Sequence, residues 1–385
     1  MVRINYHARS AGLDIKVLPG VGELLSGVDL SDVRDIEPED FLGRHQVETD
    51  IDAIAGFLQD KRVLVTGAGG SIGSELCRQI RDFGPAELMM LDRDESALHA
   101  LLLSIKGRAD LELSDVILAN VRDAERMHEI FAARRPQVVF HAAALKHVNI
   151  LENHAAEAVK TNVLGTLNVL DSATSVGVER FVNISTDKAA DPKSVLGHSK
   201  RLSEGLTRSA AESASDGIYL SVRFGNVLGT SGSVLKTFAA QVDSGGPITV
   251  THPEVTRYFM TVRESVQLVI QAAAIGRDGE ALVLDMGQPV RILDVAQLFV
   301  ENAKAPIDLV FTGLKPGEKL HEARLGAGEV DRRPIHPLIS HVPVPGVTYS
   351  EAWSLPVRGE NATIVAALQA LTDRMRVPER QEVTT

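Results

Sequence analysis

The chain has 385 residues, of which 44% are hydrophobic and 24% charged, as in an ordinary globular protein. Its formal net charge of -11 argues against nucleic acid as the main partner, although a local basic cluster can still hold an anionic ligand. The single cysteine, Cys77, excludes an internal disulfide and favours a reducing compartment. No apolar run reaches the roughly 18 residues of a membrane-spanning helix, and the N-terminus lacks a signal peptide. We therefore expect a cytoplasmic chain without a membrane segment.

The first sixty residues predict two short pieces ahead of the main domain. Residues 1–33 contain one strand-like run, Leu13 to Leu18, and we expect them to be the remnant of an upstream domain. Residues 34–60 include apolar side chains at helical spacing between Ile51 and Leu58. We expect this second piece to be a helical arm that leads into the main domain.

From residue 61 onward, short apolar runs alternate with helical stretches. The predicted strands are Val63 to Val65, Leu88 to Leu91, Val116 to Ala119, Val138 to Phe140, Phe181 to Ile184 and Leu220 to Arg223. Strands that alternate with helices form parallel sheets covered on both faces. The sequence therefore predicts a Rossmann-type doubly wound α/β domain over residues 61–240.

Beyond residue 240 this alternation weakens. We expect a smaller mixed α/β lobe over residues 241–345, which binds a substrate together with loops from the preceding domain. The extension over residues 346–385 carries a helix-like run from Ala362 to Met375, and we expect part of it to be disordered.

A glycine loop between the first predicted strand and its helix indicates a dinucleotide site. Gly67 permits a tight turn, Gly70 lets the backbone approach a pyrophosphate, and Gly73 lets the helix pack close to the sheet. Ser71 and Ile72 begin the helix, whose N-terminal amides favour phosphate. The alternative is a glycine-rich turn without a ligand.

Residues after the second and third strands bear on the choice of cofactor. Asp92 can accept hydrogen bonds from the adenosine ribose and would repel a 2′-phosphate, so it favours NAD over NADP. Arg93 keeps NADP open, because a guanidinium can hold a 2′-phosphate. Asn120 and Val121 can meet the adenine edge, although a plain loop is the alternative.

Two further segments follow predicted strands at the edge where parallel sheets bind ligands. Ala142 and Ala143 are small enough to let the backbone lie along a cofactor. Thr186, Asp187 and Lys188 place an acidic group beside a basic one, as general acid–base chemistry requires. A buried helix start and a surface ion pair are the respective alternatives.

Seven motifs carry a resemblance to a known family. They are TGAGGSIGSEL at 66–76, FHAAALKHV at 140–148, TNVLGTLNV at 161–169, ISTDKAADP at 184–192, VRFGNVLGTSGSV at 222–234, GGPITVTHPEVTRYFMT at 245–261 and LKPGEKLHE at 314–322. With them the chain resembles the extended short-chain dehydrogenase/reductases over residues 34–325. It is most similar to the polysaccharide-biosynthesis UDP-N-acetylglucosamine 4,6-dehydratases.

The resemblance implies a reaction and a role for each central residue. In such enzymes the C4 hydroxyl is oxidised, water is eliminated across C5 and C6, and the hydride returns to C6, so that tightly bound NAD is regenerated in each turnover. Asp187 would be the acid, and Lys188 the base at C5, provided that its amine is partly neutral. Thr186 would hydrogen-bond the developing C4 oxyanion, and Lys200 would bind the nicotinamide ribose.

The same resemblance implies further binding residues. Lys146 and Asn162 belong with the cofactor. The substrate residues are Lys146, His147, Asn226, Arg257 and Lys315, of which Arg257 and Lys315 suit the diphosphate of a UDP-sugar by their charge. No cluster of side chains has metal-ligand spacing, so no metal is predicted.

Leu196 is the main departure from the family pattern. It stands four residues before Lys200, where the superfamily usually has a proton-carrying tyrosine. Long, membrane-anchored relatives carry methionine there and remain active, so the resemblance favours a retaining dehydratase in which Asp187 serves both steps. Symmetric homo-oligomers are common in the family. Leu145, Asn149 and Asn120 are milder departures.

Three alternatives stay open at this point. A C5-inverting dehydratase or a nucleotide-sugar epimerase would use the same scaffold. An inactive cofactor-binding scaffold protein is suggested by Leu196. The nucleotide base and the sugar are set by the resemblance alone.

Overall fold

The computed structural model describes residues 16–17, 34–35, 51–107, 115–214, 216–230, 233–303 and 305–375. The strands are β1 (Lys16–Val17), β2 (Arg34–Asp35), β3 (Arg62–Thr66), β4 (Glu87–Asp92), β5 (Val116–Leu118), β6 (Val138–His141), β7 (Arg180–Thr186), β8 (Ile218–Phe224), β9 (Asn226–Val227), β10 (Ile248–Val250), β11 (Thr256–Arg257), β12 (Phe259–Met260), β13 (Glu280–Leu284), β14 (Val290–Arg291), β15 (Leu309–Phe311) and β16 (Ile339–Pro343).

The helices alternate with these strands. They are α1 (Ile51–Leu58), α2 (Ser71–Arg81), α3 (Glu95–Lys106), α4 (Ala124–Arg134), α5 (Val148–Asn153), α6 (Ala155–Ala158), α7 (Thr166–Val176), α8 (Val195–Ser213), α9 (Val234–Asp243), α10 (Val262–Ile275), α11 (Ile292–Asn302), α12 (Tyr349–Trp353) and α13 (Asn361–Asp373). A π-helical stretch, Val159–Gly165, joins α6 to α7, and a 3₁₀ turn covers Asp187–Ala189. None of the helices described is long and apolar enough to cross a membrane.

The central sheet has eight strands in the order β16-β13-β8-β7-β6-β3-β4-β5. All neighbouring pairs are parallel except β13 with β16. The six predicted strands are confirmed as β3 to β8. Their spatial order is that of doubly wound nucleotide-binding sheets, in which ligands bind where the strand order reverses, here between β3 and β6.

Helices cover both faces of this sheet, which explains why its strands are apolar on both sides. Side chains from α1, α2, α3 and α10 pack with one face. Side chains from α4, α7, α8 and α13 pack with the other. The helix predicted from Ala362 to Met375 is confirmed as α13, and its Leu368 is fully buried.

The predicted division at residue 240 does not separate the sheet from the second lobe. β13 and β16 lie far beyond that residue, yet both belong to the main sheet. The smaller lobe has its own apolar core, which includes Phe238, Ile248 and Phe259. Its short pairs are β9 with β12, β10 with β15 and β11 with β14.

The predicted pieces ahead of residue 61 are only partly described. Of the upstream remnant over 1–33 the structure describes β1, which pairs antiparallel with β2. In the arm over 34–60, helix α1 is confirmed, and Ile54 and Leu58 join the main core. The predicted disordered end beyond residue 375 lies outside the described residues.

A buried charged cluster ties the sheet to helix α8 and to the segment near residue 329. The Arg223 guanidinium is fully buried and donates to both oxygens of Glu204 at 2.7 Å. It also donates to Glu329 at 2.6 and 3.0 Å. Arg201 pairs with the same two carboxylates at 3.4 and 2.9 Å. Burial raises the pKa of Glu329, but the two arginines outweigh this and lower it to about 2.

We expect Arg223→Met to destabilise the protein by about 3–5 kcal/mol, because the substitution leaves two buried carboxylates, Glu204 and Glu329, to share the single guanidinium of Arg201. Urea unfolding followed by circular dichroism measures the change. The control is Arg126→Met, which removes an exposed arginine paired with Glu129 and should cost at most about 1 kcal/mol. Equal destabilisation by the two variants would contradict a structural role for the cluster.

Candidate active site

Three connected cavities lie at the carboxyl ends of the sheet strands. The cavity beside β3, β4 and β5 has a volume of ≈ 270 Å³, the middle cavity ≈ 320 Å³ and the cavity in the smaller lobe ≈ 430 Å³. Ala142, Ala144 and Leu145 line the first and the middle cavity. Lys188, Asn226 and Val234 line the middle and the third. One elongated ligand can therefore occupy neighbouring cavities.

The first cavity is built around the glycine loop. Residues predicted for the cofactor that line it are Gly67, Gly70, Asp92, Arg93, Asn120, Val121, Ala142 and Ala143. Gly67 has a φ of 70°, and a Cβ there would lie 2.6 Å from the Ala143 backbone nitrogen. No side chain caps helix α2, so its N-terminal amides are not covered by a cap. The loop therefore fits a pyrophosphate at this helix N-terminus.

Asp92 shapes the loop as well as facing the cavity. Its Oδ2 accepts a hydrogen bond from the Gly69 amide at 2.9 Å, and its Oδ1 accepts one from the Asp94 amide at 3.0 Å. A carboxylate offers about four acceptor positions, so it can still accept from a ribose. Asn120 likewise accepts from the Arg122 amide at 3.1 Å. Both residues hold in place the loops that line this cavity.

Other residues predicted for the cofactor do not line the first cavity. Ile72 lines the middle cavity, whereas Ser71 and Gly73 do not line these three cavities. Asn162 is fully buried, exchanges hydrogen bonds with the Leu145 backbone at 2.8 and 3.0 Å, and donates to Ser199. Its amide thus holds the loop after β6 rather than facing a cavity.

The middle cavity collects residues from β7, α8 and the loop after β8. Predicted residues that line it are Ala142, Lys146, His147, Thr186, Lys188, Lys200 and Asn226. Leu196 also lines this cavity and is 6% exposed, so the cavity has an apolar surface in addition to Thr186 and Lys188. Burial lowers the pKa of Lys146.

Asp187 lies directly behind the wall of the middle cavity. It is fully buried and does not line the cavity itself. Its Oδ1 accepts from the Thr186 hydroxyl at 2.9 Å and from Lys188 Nζ at 3.0 Å, while its buried Oδ2 has no hydrogen-bond partner. Asp187 therefore reaches the cavity through Thr186 and Lys188.

Two buried basic side chains, Lys200 and His141, have lowered pKa values. Burial lowers the pKa of Lys200 to about 8, against the opposing charge of Glu204. Burial and the Lys200 charge lower the pKa of His141 to about 3. The neutral His141 ring is held between Thr66 at 2.7 Å and Thr166 at 2.9 Å. This histidine joins neighbouring elements through its two hydrogen bonds, and its ring stays neutral near pH 7.

The third cavity is lined by cations and carboxylates. Arg257, Lys315 and Lys319 line it, as do Glu318 and Glu322. Arg257 donates to Glu318 Oε1 at 2.9 Å. Lys319 Nζ lies 3.5 Å from Glu322 Oε2 and donates to the Ala190 carbonyl at 3.1 Å. Such a set of cations suits a diphosphate.

The sequence reasoning missed Glu318, Glu322 and the charged cluster around Arg223. Both glutamates lie in the motif LKPGEKLHE, whose lysines were interpreted as phosphate-binding residues. Helical or strand periodicity carries no information about such pairs, because their partners are distant in sequence. Within the described ranges, no group of three or more His, Cys, Asp or Glu side chains is arranged to hold a metal.

The sheet order, the glycine loop and the Thr186-Asp187-Lys188 edge define a short-chain dehydrogenase/reductase-type fold and site. Residues 63–344 match the family model described as polysaccharide biosynthesis protein. The chain therefore belongs to this polysaccharide-biosynthesis family.

Relatives agree with this assignment. The chain is 41% identical to the capsular polysaccharide biosynthesis protein CapD of Staphylococcus aureus and 43% identical to the probable polysaccharide biosynthesis protein EpsC of Bacillus subtilis. The matches cover 86% and 85% of this chain but 56% of each relative. The chain thus spans about half the length of these curated relatives.

The chain is also similar to a curated UDP-glucose 4-epimerase and to a solved structure. The chain is 33% identical to a UDP-glucose 4-epimerase of Rickettsia rickettsii, over 70% of this chain and 79% of that one. The X-ray structure of Pen from Bacillus thuringiensis superposes with a TM-score of 0.68 and 30% identity, covering 74% of this chain and 90% of that chain.

We expect Gly67→Ala to weaken NADH binding by about tenfold or more, since a loss of about 1.4 kcal/mol suffices for tenfold. The added methyl group meets the Ala143 backbone and strains a positive φ. Fluorescence titration with NADH measures the affinity. Gly84→Ala is the matched control, because Gly84 has a φ of 63° but nothing within 4 Å of the added carbon. Unchanged NADH affinity in Gly67→Ala would contradict the cofactor site.

Proposed function

We propose that the chain is a nucleotide-sugar 4,6-dehydratase that converts UDP-N-acetylglucosamine to the UDP-4-keto-6-deoxy sugar with retention at C5. The observation that carries this proposal is the contact between Asp187 and Lys188 at the junction of two cavities. A dehydratase needs an acid and a base side by side at C5 and C6. Redox chemistry at a single carbon needs no such pair.

NAD is the proposed cofactor, held by the glycine loop, the α2 N-terminus and Asp92. The close approach of Gly67 to Ala143 leaves no room for a side chain, as a backbone cradle for pyrophosphate requires. Lys200 reaches the neighbouring cavity and is proposed for the nicotinamide ribose. Bound there, a nicotinamide supplies the hydride acceptance and return that the reaction needs.

Oxidation at C4 requires removal of the hydroxyl proton without the usual tyrosine. Leu196 stands at that position and carries no exchangeable proton. Thr186 lines the cavity, and its hydroxyl donates to Asp187 at 2.9 Å. We propose that Thr186 contacts the C4 oxygen and that the proton passes through it to Asp187. The neutral Asp187 then has a proton to donate in the next step.

Elimination uses the same two neighbouring residues. Lys188 removes the C5 proton, which the adjacent ketone acidifies. Asp187 returns the proton that it gained, and water leaves from C6. Lys188 then gives the C5 proton back to the same face, which retains the configuration. One aspartate thus serves two steps, as its single buried position beside both Thr186 and Lys188 allows.

The UDP moiety is proposed to occupy the third cavity. Arg257 and Lys315 line it and supply positive charge for the diphosphate, while Lys319 adds a third cation. Asn226 and His147 lie at the sugar end.

A nucleotide-sugar epimerase is the second candidate, and the similarity to the Rickettsia enzyme favours it. Epimerisation at C4 transfers a hydride and one hydroxyl proton. It removes no proton from C5, so Lys188 would have no catalytic role. A C5-inverting dehydratase uses the same residues but returns the C5 proton to the opposite face. The inactive-scaffold alternative conflicts with the solvent-facing Thr186 and Lys188 in one cavity.

Incubation with UDP-N-acetylglucosamine tests the proposal directly. We expect mass spectrometry to detect loss of one water molecule, and proton NMR to show a C6 methyl group with retained C5 configuration. A product of unchanged mass with altered C4 configuration would establish the epimerase. Unaltered substrate, with NAD bound, would refute both enzymatic assignments for this sugar.

Single substitutions test the two roles separately. We expect Asp187→Asn to lower formation of the 4-keto product by about 10²–10⁴-fold, the usual contribution of a general acid or base. Lys188→Ala should abolish deuterium incorporation at C5 in heavy water. Lys193→Ala removes a nearby exposed lysine and serves as the control, with full activity expected. Near-normal 4-keto formation by Asp187→Asn would eliminate its dual role.

A further inference from the structure

Glu322 is a buried carboxylate that was not among the residues predicted for acid–base chemistry or for diphosphate binding. Its side chain is 4% exposed and lines the third cavity. Its Oε1 lies 3.7 Å from Lys188 Nζ, and its Oε2 lies 3.5 Å from Lys319 Nζ. The Oε2 atom has no hydrogen-bond partner. This oxygen can therefore still accept a hydrogen bond or carry a proton.

Lys188 is surrounded by acceptors. Its Nζ donates to Asp187 Oδ1 and Asn226 Oδ1, each at 3.0 Å, and Glu322 Oε1 is the third oxygen nearby. An ammonium has three protons to donate and no acceptor capacity. The contacts therefore match a protonated Lys188, whereas a base at C5 must be a neutral amine.

A count of protons through the proposed reaction sharpens this conflict. Asp187 must begin ionised, gain the C4 hydroxyl proton and lose it to the departing C6 hydroxyl. Lys188 must begin neutral, gain the C5 proton and return it to C5 as hydride bonds to C6. The hydride leaving C4 and the hydride reaching C6 cancel. In the proposed reaction Lys188 is therefore a neutral amine at the start of every turnover. The third proton of its ammonium form must then reside on another group.

Among the described residues, the carboxylates within 4.0 Å of Lys188 Nζ are Asp187 and Glu322. Asp187 is needed in its ionised form for the C4 step. We propose that Glu322 is a positioning residue that takes the proton of Lys188 when the nucleotide sugar binds. This inference rests on the proposed dehydratase function. The N–H bond of Lys188 breaks, an O–H bond forms on Glu322, and no electron is transferred.

Diphosphate binding supplies the driving force for the transfer. Without substrate, two cations, Lys188 and Lys319, stabilise the Glu322 carboxylate. A diphosphate in the third cavity attracts Lys319, which lines the same cavity, away from Glu322. The Glu322 carboxylate then loses one of its two stabilising cations, so we propose that the proton of Lys188 moves to it. The charged groups that face this site are Asp187, Lys188, Lys200, Arg257, Lys315, Glu318 and Lys319.

Glu322→Gln tests the inference, because glutamine keeps a hydrogen-bond acceptor but cannot take the proton. With UDP-N-acetylglucosamine, we expect kcat at neutral pH to fall by about 10²-fold while KM stays unchanged. The rising limb of the kcat–pH profile should move to higher pH, since solvent must now deprotonate Lys188. C5 deuterium exchange in heavy water should slow in parallel. Glu322→Asp should restore the wild-type position of the limb.

The controls separate this inference from the proposed function and from a folding defect. Glu179→Gln makes the same change near the amino end of β7, where Glu179 pairs with Lys61, and should leave kcat unaltered. An active wild-type enzyme with a Glu322→Gln kcat loss that is equal at every pH would overturn the inference alone. So would unchanged kcat and C5 exchange. If wild-type protein eliminates no water, the proposed function fails, and this inference fails with it.

Discussion

The structure depends most on the buried ion cluster formed by Arg223, Glu204, Glu329 and Arg201. Taking four charges out of water is costly, and only close pairing with hydrogen bonds compensates for it. Here the two positive and two negative groups balance, with guanidinium–carboxylate distances of 2.6 to 3.4 Å. Ser185 donates to Glu204 at 2.6 Å, so the cluster also fixes the residue immediately before Thr186. The end of β7 is therefore tied to the buried ion cluster through Ser185.

The site in front of that cluster is organised by charge as well. Lys188 lies at the junction of the middle and third cavities, where its side-chain nitrogen meets acceptors from the turn after β7, from β9 and from the segment at Glu322. Leu196 adds an apolar surface to the middle cavity. In the proposed mechanism the proton carriers are therefore Thr186, Asp187 and Lys188, each of which contacts its neighbour.

The sequence predicted the elements that follow local rules. Strands β3 to β8 are apolar runs, and the glycine loop has its own spacing, so both were found. β13 and β16 were missed because they lie beyond the regular alternation of strands and helices, and β16 contains the polar pair Ser340 and His341. Neither the burial of Asp187 nor the position of Glu322 follows from any local pattern. The position of Glu322 arises from a tertiary contact with Lys188, more than a hundred residues away in the sequence.

The same ion cluster constrains how the polypeptide is made. Three of its members, Arg201, Glu204 and Arg223, leave the ribosome long before Glu329. Until that residue arrives, two guanidinium groups share one carboxylate in the interior, and the excess positive charge opposes closure of the sheet. The charges buried beneath this part of the sheet are therefore balanced only when Glu329, 106 residues beyond Arg223, takes its place in the cluster.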